Sequence, residues 1–260
     1  MARSAHKHIV QLVVKLVVLL FSTLLTPAWA GALFIEEMTW PEVRDAIASG
    51  KSTAIVFAGS TEQNGPHMVL GKHNFIARSL AASIAKELGN ALIYPVVPFA
   101  PTGDPELHSG HMRFPGSVSV EMEVYVAMIR DLARSAISAG FHHIIIMADH
   151  GGGQDELEQL ALEMDIATRS KGARIFYIGE VYDAEQAPHA GRLDTSTLMA
   201  IDADKRWVRP GVYKNWTGTD SGAESDPQDA TPSEGLASLR KRTQAAVKKI
   251  QDILSTAPAH

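Results

Sequence analysis

The tightest constraint on how this chain can fold is one short junction. The apolar run Ala54-Ile55-Val56-Phe57-Ala58 stops at Gly59 and gives way at once to GSTEQNGPHMVLGKHNFIA, residues 59–77. Five consecutive apolar residues rich in β-branched and aromatic types, closed by glycine, predict a buried strand that opens into a polar loop. In an open α/β protein, the loops after the carboxyl ends of strands are where ligands bind. This loop places Glu62, Asn64, His67 and His73 within twelve residues, a dense set of metal-ligand side-chain types.

The rest of the pattern supports alternation of strands and helices. Thr39 followed by Trp40-Pro41-Glu42 is a helix start running to Gly50, and the apolar spacing from His73 to Leu88 before Gly89 is a second helix. Leu92 to Val97, interrupted by Pro95, fits an edge strand. After a long loop carrying His108, His111 and Arg113, Ser119 to Ala139 reads as a helix and Ile144 to Ala148 as a buried strand. That strand runs into Asp149-His150-Gly151-Gly152-Gly153, then a helix from Gln154 to Ser170 and a strand from Ile175 to Ile178. Strand, helix and strand over residues 141–179 form a parallel crossover of right-handed sense, which puts His150 on the same sheet edge as Glu62. Ser233 to Leu254 closes the chain as an amphipathic helix. The glycines after His150 lack the order and the lysine of a nucleotide loop, and are better explained as room for backbone to pass a metal centre.

Composition narrows the chemistry. The chain has no cysteine, so disulfides and thiolate catalysis are excluded and any metal rests on histidine and carboxylate. Residues 1–30 have the form of a secretory signal peptide: basic Arg3, Lys7 and Lys15, an apolar core too short to span a bilayer, and an Ala28-Trp29-Ala30 cleavage site. Export to the periplasm or medium is therefore expected, with one domain over residues 31–260. Loss of those three basic residues takes the net charge from −5 to about −8. A mildly acidic surface argues against nucleic acid or anionic membranes as partners.

Gly59, Ser60, Glu62, Gln63, Gly65, Pro66, His67, Leu70, Gly71, Ile76 and Ala77 fall without a gap on a pattern that resembles the creatininase (creatinine amidohydrolase) family. His111 with Phe114-Pro115-Gly116-Ser117, the DHGGGQ turn at His150, His189-Ala190-Gly191 with Asp194-Thr195-Ser196, and the GAESDPQDATPSEG stretch follow in the family's order. The resemblance implies a three-layer α/β/α domain with a mostly parallel sheet. It also implies hydrolysis of a non-peptide, including cyclic, amide C–N bond with a metal-activated water. Family members commonly carry two metal ions, zinc or manganese, and many assemble as rings of subunits, so a homo-oligomer is an analogy only. Two positions depart from the pattern: Asn64 stands where the family has a histidine ligand, and His73 where it has the bridging aspartate. Imidazole cannot bridge two cations as a carboxylate does, so one divalent ion, zinc before manganese, is expected rather than two. The implied ligands are Glu62, His73 and His150, with Asp194 as a fourth ligand or a holder of the water. His189 is the implied proton-transfer residue, with His67 beside it in the catalytic set. His67 and His111 position substrate or support the ligands through hydrogen bonds, and Asn64 faces the substrate. The alternative is a catalytically silent relative that binds a small molecule or partner.

Overall fold

The computed structural model describes residues 31–182, 188–218 and 222–256. The signal segment expected at residues 1–30 lies outside the described residues. Four strands, β1 (Thr53–Ala58), β2 (Ala91–Ile93), β3 (His143–Ala148) and β4 (Arg174–Tyr177), form one parallel sheet in the order β2-β1-β3-β4. Ile55 of β1 lies opposite Ile93 of β2 and Ile145 of β3, and Ala58 opposite Ala148. The helices among the described residues are α1 (Trp40–Ala48), α2 (Lys72–Leu88), α3 (Met122–Ala139), α4 (Gln154–Thr168), α5 (Arg192–Ile201), α6 (Pro210–Tyr213) and α7 (Pro232–Thr256).

The period of two along the strands sorts these elements into layers. Ile55, Phe57, Ile145 and Met147 share a core with Ile76, Leu80 and Ile84 of α2 and Val247 and Ile250 of α7. On the other face, α3 packs against β1 and β3, and α4 against β3 and β4. The result is the expected three-layer α/β/α arrangement. Each fully buried Ile or Phe stabilises it by roughly 1.5–3 kcal/mol through removal of apolar surface from water. Gly89 at φ 76° and Gly140 at φ 105° end α2 and α3 in the left-handed conformation that the absence of a Cβ permits.

The topology places the site. The chain leaves β1 through α2 for one edge of the sheet, then returns through α3 on the opposite face to reach β3. Connections therefore diverge between β1 and β3, and a crevice opens beyond their carboxyl ends. The ladder persists one step past the strands, with Gly59 N–H donating to Val97 C=O at 2.8 Å and Asp149 N–H to Ala58 C=O at 2.9 Å. Glu62 and His150 emerge from those two fixed points.

Several elements differ from the sequence reading: β2 spans Ala91–Ile93 rather than Leu92 to Val97, and the short α6 was not expected. Helix α3 begins at Met122 rather than Ser119, because Ser119 instead pins the long loop, its Oγ accepting from Thr102 N–H at 3.1 Å. Helix α5 was not foreseen, since Thr195, Ser196 and Thr197 have poor helix propensity. There the hydroxyls of Thr195 and Thr197 donate to the carbonyls of Gly191 and Leu193, both at 2.8 Å, and burial against α7 holds the helix.

Candidate metal centre

Glu62 is the hub. It is 1% exposed, and its backbone N–H donates to Leu70 C=O at 3.0 Å, folding the loop so that the carboxylate points back over the sheet. Its Oε1 lies 3.1 Å from His73 Nε2, 3.7 Å from His111 Nε2 and 3.7 Å from His189 Nδ1. Its Oε2 lies 2.8 Å from His150 Nε2 and accepts from Ser60 Oγ at 2.7 Å. Four imidazoles thus reach one carboxylate from the start of α2, the long loop, the end of β3 and the turn before α5. Their donor atoms gather within 4.8 Å in two groups, Glu62 with His111 and His150, and Glu62 with His73 and His189. The expected trio of Glu62, His73 and His150 meets at Glu62, but its two imidazoles contact opposite carboxylate oxygens.

Charged groups support this hub from behind. His73 Nδ1–H donates to Asp149 Oδ2 at 2.7 Å, and Asp149 Oδ1 pairs with the Arg242 guanidinium of α7. Burial and Lys72 oppose charge on His73, yet Glu62 and Asp149 outweigh them and raise it to about 9. Burial alone would raise Glu62; His73 and His150 instead hold it far below the usual carboxylate range. Asp149, against the same burial, is lowered by Arg242 and His73. Lys72, fully buried at the first position of α2, pairs through Nζ with Asp194 Oδ2, which also accepts from Ala190 N–H at 3.0 Å. Desolvation and the Lys72 charge push His189 down to about 3 and His67 to about 4, and burial lowers His111.

A cleft of about 560 Å³ opens onto the hub and is lined by Glu62, Lys72, His73, His111, His150, His189 and Asp194 among others. Asn64 and His67 are not among its lining residues. Asn64 is fully buried, and its Nδ2 donates to the carbonyls of Glu62, Val69 and Leu70 at 2.8, 3.2 and 3.3 Å. It clasps the loop rather than facing substrate. His67 Nε2 meets Thr195 Oγ1 at 2.8 Å, and neither residue lines the cleft. His108 is exposed outside the cleft. Gly152 is needed where it stands: a Cβ there would lie 2.7 Å from Pro101 O and 2.9 Å from His150 Cε1.

Sequence reasoning missed Lys72, Asp149 and Arg242. Asp149 had a signal, a carboxylate at the same strand end as His150. Arg242 had none, being one of several basic residues on an amphipathic helix.

The sequence model of the family described as "Creatininase: Creatinine amidohydrolase" matches residues 36–250. A mycofactocin precursor peptide peptidase of Mycolicibacterium smegmatis is 30% identical over 155 residues, which are 58% of this chain and 58% of that protein. A creatinine amidohydrolase of Pseudomonas putida is 24% identical over 119 residues, 46% of this chain and 45% of that protein. The aligned segments therefore span about half the length of these relatives. A crystal structure of creatinine amidohydrolase superimposes with a TM-score of 0.68 at 19% identity, covering 88% of this chain and 99% of that one. Creatininase structures of the same fold are described as zinc and manganese forms.

Proposed function

The chain belongs to the creatininase family, and from that premise we propose that it is an exported, metal-dependent amidohydrolase acting on a small, non-peptide amide. The observation that carries the reading is the buried Glu62 carboxylate ringed by imidazole nitrogens at the mouth of the β1/β3 crevice. One carboxylate and two imidazoles with an open side are the donor set of a catalytic divalent site. An ion bound there would polarise the amide carbonyl and lower the pKa of water toward neutrality.

The chain's own groups supply the rest. Imidazoles not spent on the ion face the cleft and are placed to move a proton to the leaving amide nitrogen. The Lys72 ammonium lines the same cleft and adds positive potential where charge develops on the carbonyl oxygen. A cleft of about 560 Å³ suits a small molecule. One ion is favoured over two because Asn64 offers no imidazole nitrogen where the family pattern has a histidine, and the Lys72–Asp194 pair places a fixed cation at the cleft. The residue pattern at 1–30 supports export.

Elemental analysis of protein purified from residue 31 onward, with assays on cyclic amides and on peptides, tests this. About one zinc per chain and cyclic-amide hydrolysis is the expected result. Two ions would overturn the single-ion assignment, and peptide cleavage alone would overturn the bond type.

A second reading, the silent binding relative, has its own observation. His73 between Glu62 and Asp149, and Lys72 on Asp194, already satisfy the buried carboxylates with protein cations. Absence of metal after incubation with zinc or manganese is its signature.

A further inference from the structure

The four imidazoles around Glu62 are not equivalent, and their outer nitrogens say which of them can give a lone pair to a cation. Every imidazole has two nitrogens, and in the neutral ring one donates while the other accepts. A ring whose outer nitrogen donates to an oxygen presents an inner lone pair, as metal-ligating histidines commonly do. A ring whose outer nitrogen accepts presents an inner N–H.

His73 belongs to the first kind. Its Nδ1 faces the Asp149 carboxylate at 2.7 Å, which has no hydrogen to give, so Nδ1 donates and Nε2 is the inner nitrogen, whose proton toward Glu62 a cation would displace. His189 belongs there too. Its Nε2 lies 2.9 Å from the backbone carbonyl of Gln63, an acceptor, so Nε2 donates and Nδ1 turns its lone pair toward Glu62. The Gln63 side chain fits this orientation. Its Oε1 accepts from Gly65 N–H at 2.9 Å, which fixes the amide so that Nε2 faces Gly222 C=O at 3.0 Å and His111 Nδ1 at 2.9 Å. Those two acceptors use both amide hydrogens, so the 3.1 Å approach of Gln63 Nε2 to His189 Nε2 is not a hydrogen bond to His189.

The other two rings are of the second kind. His111 Nδ1 accepts from Gln63, so its Nε2–H is the inner group. His150 Nδ1 lies 3.0 Å from Gly152 N–H and 3.4 Å from Gly152 C=O; the shorter contact makes it the acceptor, so its Nε2–H donates to Glu62 Oε2 at 2.8 Å.

We propose that this chain holds its divalent ion with Glu62 Oε1, His73 Nε2 and His189 Nδ1, leaving His150 as an N–H donor to Glu62 Oε2 and His111 as an N–H group beside the carboxylate. The inference rests on the metal-dependent reading above and changes its ligand set: His189 becomes a ligand rather than the proton-transfer group, and His150 leaves the coordination sphere. In the ion-free protein a proton sits between His73 Nε2 and Glu62 Oε1; the cation takes its place.

The assignment has an unusual fingerprint, one Nδ1 ligand and one Nε2 ligand, whereas Glu62 with His111 and His150 would bind through Nε2 twice. Long-range proton–nitrogen NMR spectra of ¹⁵N-histidine-labelled protein from residue 31 onward, before and after one equivalent of zinc, read this directly without a substitution. The expected result is a metal-induced shift of Nδ1 in one ring and Nε2 in another. Two shifted Nε2 nitrogens would overturn it. Titration of Co²⁺ alone, followed by visible absorption, gives the second readout. H150A and H111A should keep the Co²⁺ bands of the unsubstituted protein, while H189A should lose them with its far-UV circular dichroism unchanged. Bands retained in H189A and lost in H150A would overturn the ligand set while leaving the metal-dependent reading intact. No bands and no zinc shifts in the unsubstituted protein would overturn both.

Discussion

The middle of the sheet and its carboxyl edge are buried to the same depth by opposite means. Ile55, Phe57, Ile145 and Met147 are fully buried and apolar, and a few residues further along the same strands Ser60, Glu62, Asp149 and His150 are nearly as buried and polar. The first region gains stability from each group taken out of water. The second region incurs a desolvation cost with each and recovers it only through partners. The pairs are complete: Lys72 with Asp194, Arg242 with Asp149, His73 between Asp149 and Glu62. The comparison teaches that at the edge the unit of stability is the pair, while in the core it is the single side chain.

The largest expected effect breaks one pair. K72M removes the fully buried ammonium and leaves Asp194 facing Tyr182 and the cleft without its cation. Loss of one partner of a buried ion pair costs about 3–5 kcal/mol, read as a lowered midpoint in urea unfolding. The double variant K72M/D194L should recover most of that loss, because no buried charge remains unpaired. A double variant as unstable as the single would show that the edge is not organised in pairs.

Next comes the core. I145A deletes a fully buried side chain between α2 and α7 and should cost about 2–5 kcal/mol through lost burial and the cavity left behind. No second substitution of similar polarity will rescue it. Zinc bound per folded chain should stay unchanged, since Ile145 lies in mid-strand away from the crevice. A core variant that folds but loses its metal would show that the two regions are coupled more tightly than the contrast allows.

This contrast also explains what could be read from the sequence. The buried strands, the glycine-capped helices and the parallel crossover were legible because apolar runs and left-handed glycines are local signals. Glu62, His73, His150 and His189 were legible as a cluster because strand ends and motif order bring them to one edge. Which of them act together was not legible, because it depends on hydrogen-bond partners such as Gln63 C=O and Gly152 N–H, set by folding to within a few tenths of an ångström. Asn64 was expected on the substrate from its place in the motif; nothing local says that three backbone carbonyls claim its amide. Arg242 lies far along the chain from Asp149, and only tertiary packing pairs them.

The smallest effect sharpens the contrast at a residue that belongs to neither region. His67 is fully buried, with one ring nitrogen 2.8 Å from Thr195 Oγ1 and no partner for Nδ1 among the described residues. Burial and the Lys72 charge lower it to about 4. A folded-state pKa below the unfolded value of about 6.5 means that the unfolded chain binds the proton first. His67 therefore leaves stability untouched above pH 7 and subtracts from it as pH falls through 6.5 toward 4. The loss should reach about 2 kcal/mol by pH 5. H67Q keeps a polar atom for Thr195 but cannot take a proton, so its unfolding free energy should fall less between pH 7.5 and 5 than that of the unsubstituted protein. His73, raised by its carboxylates, contributes with the opposite sign, stabilising below 6.5 and losing that contribution as pH rises through about 9; it is common to both proteins and cancels in the difference. Parallel pH profiles would mean that His67 takes up its proton in the folded protein as readily as in the unfolded chain, and that an unpaired imidazole is tolerated here as a paired one is at the edge.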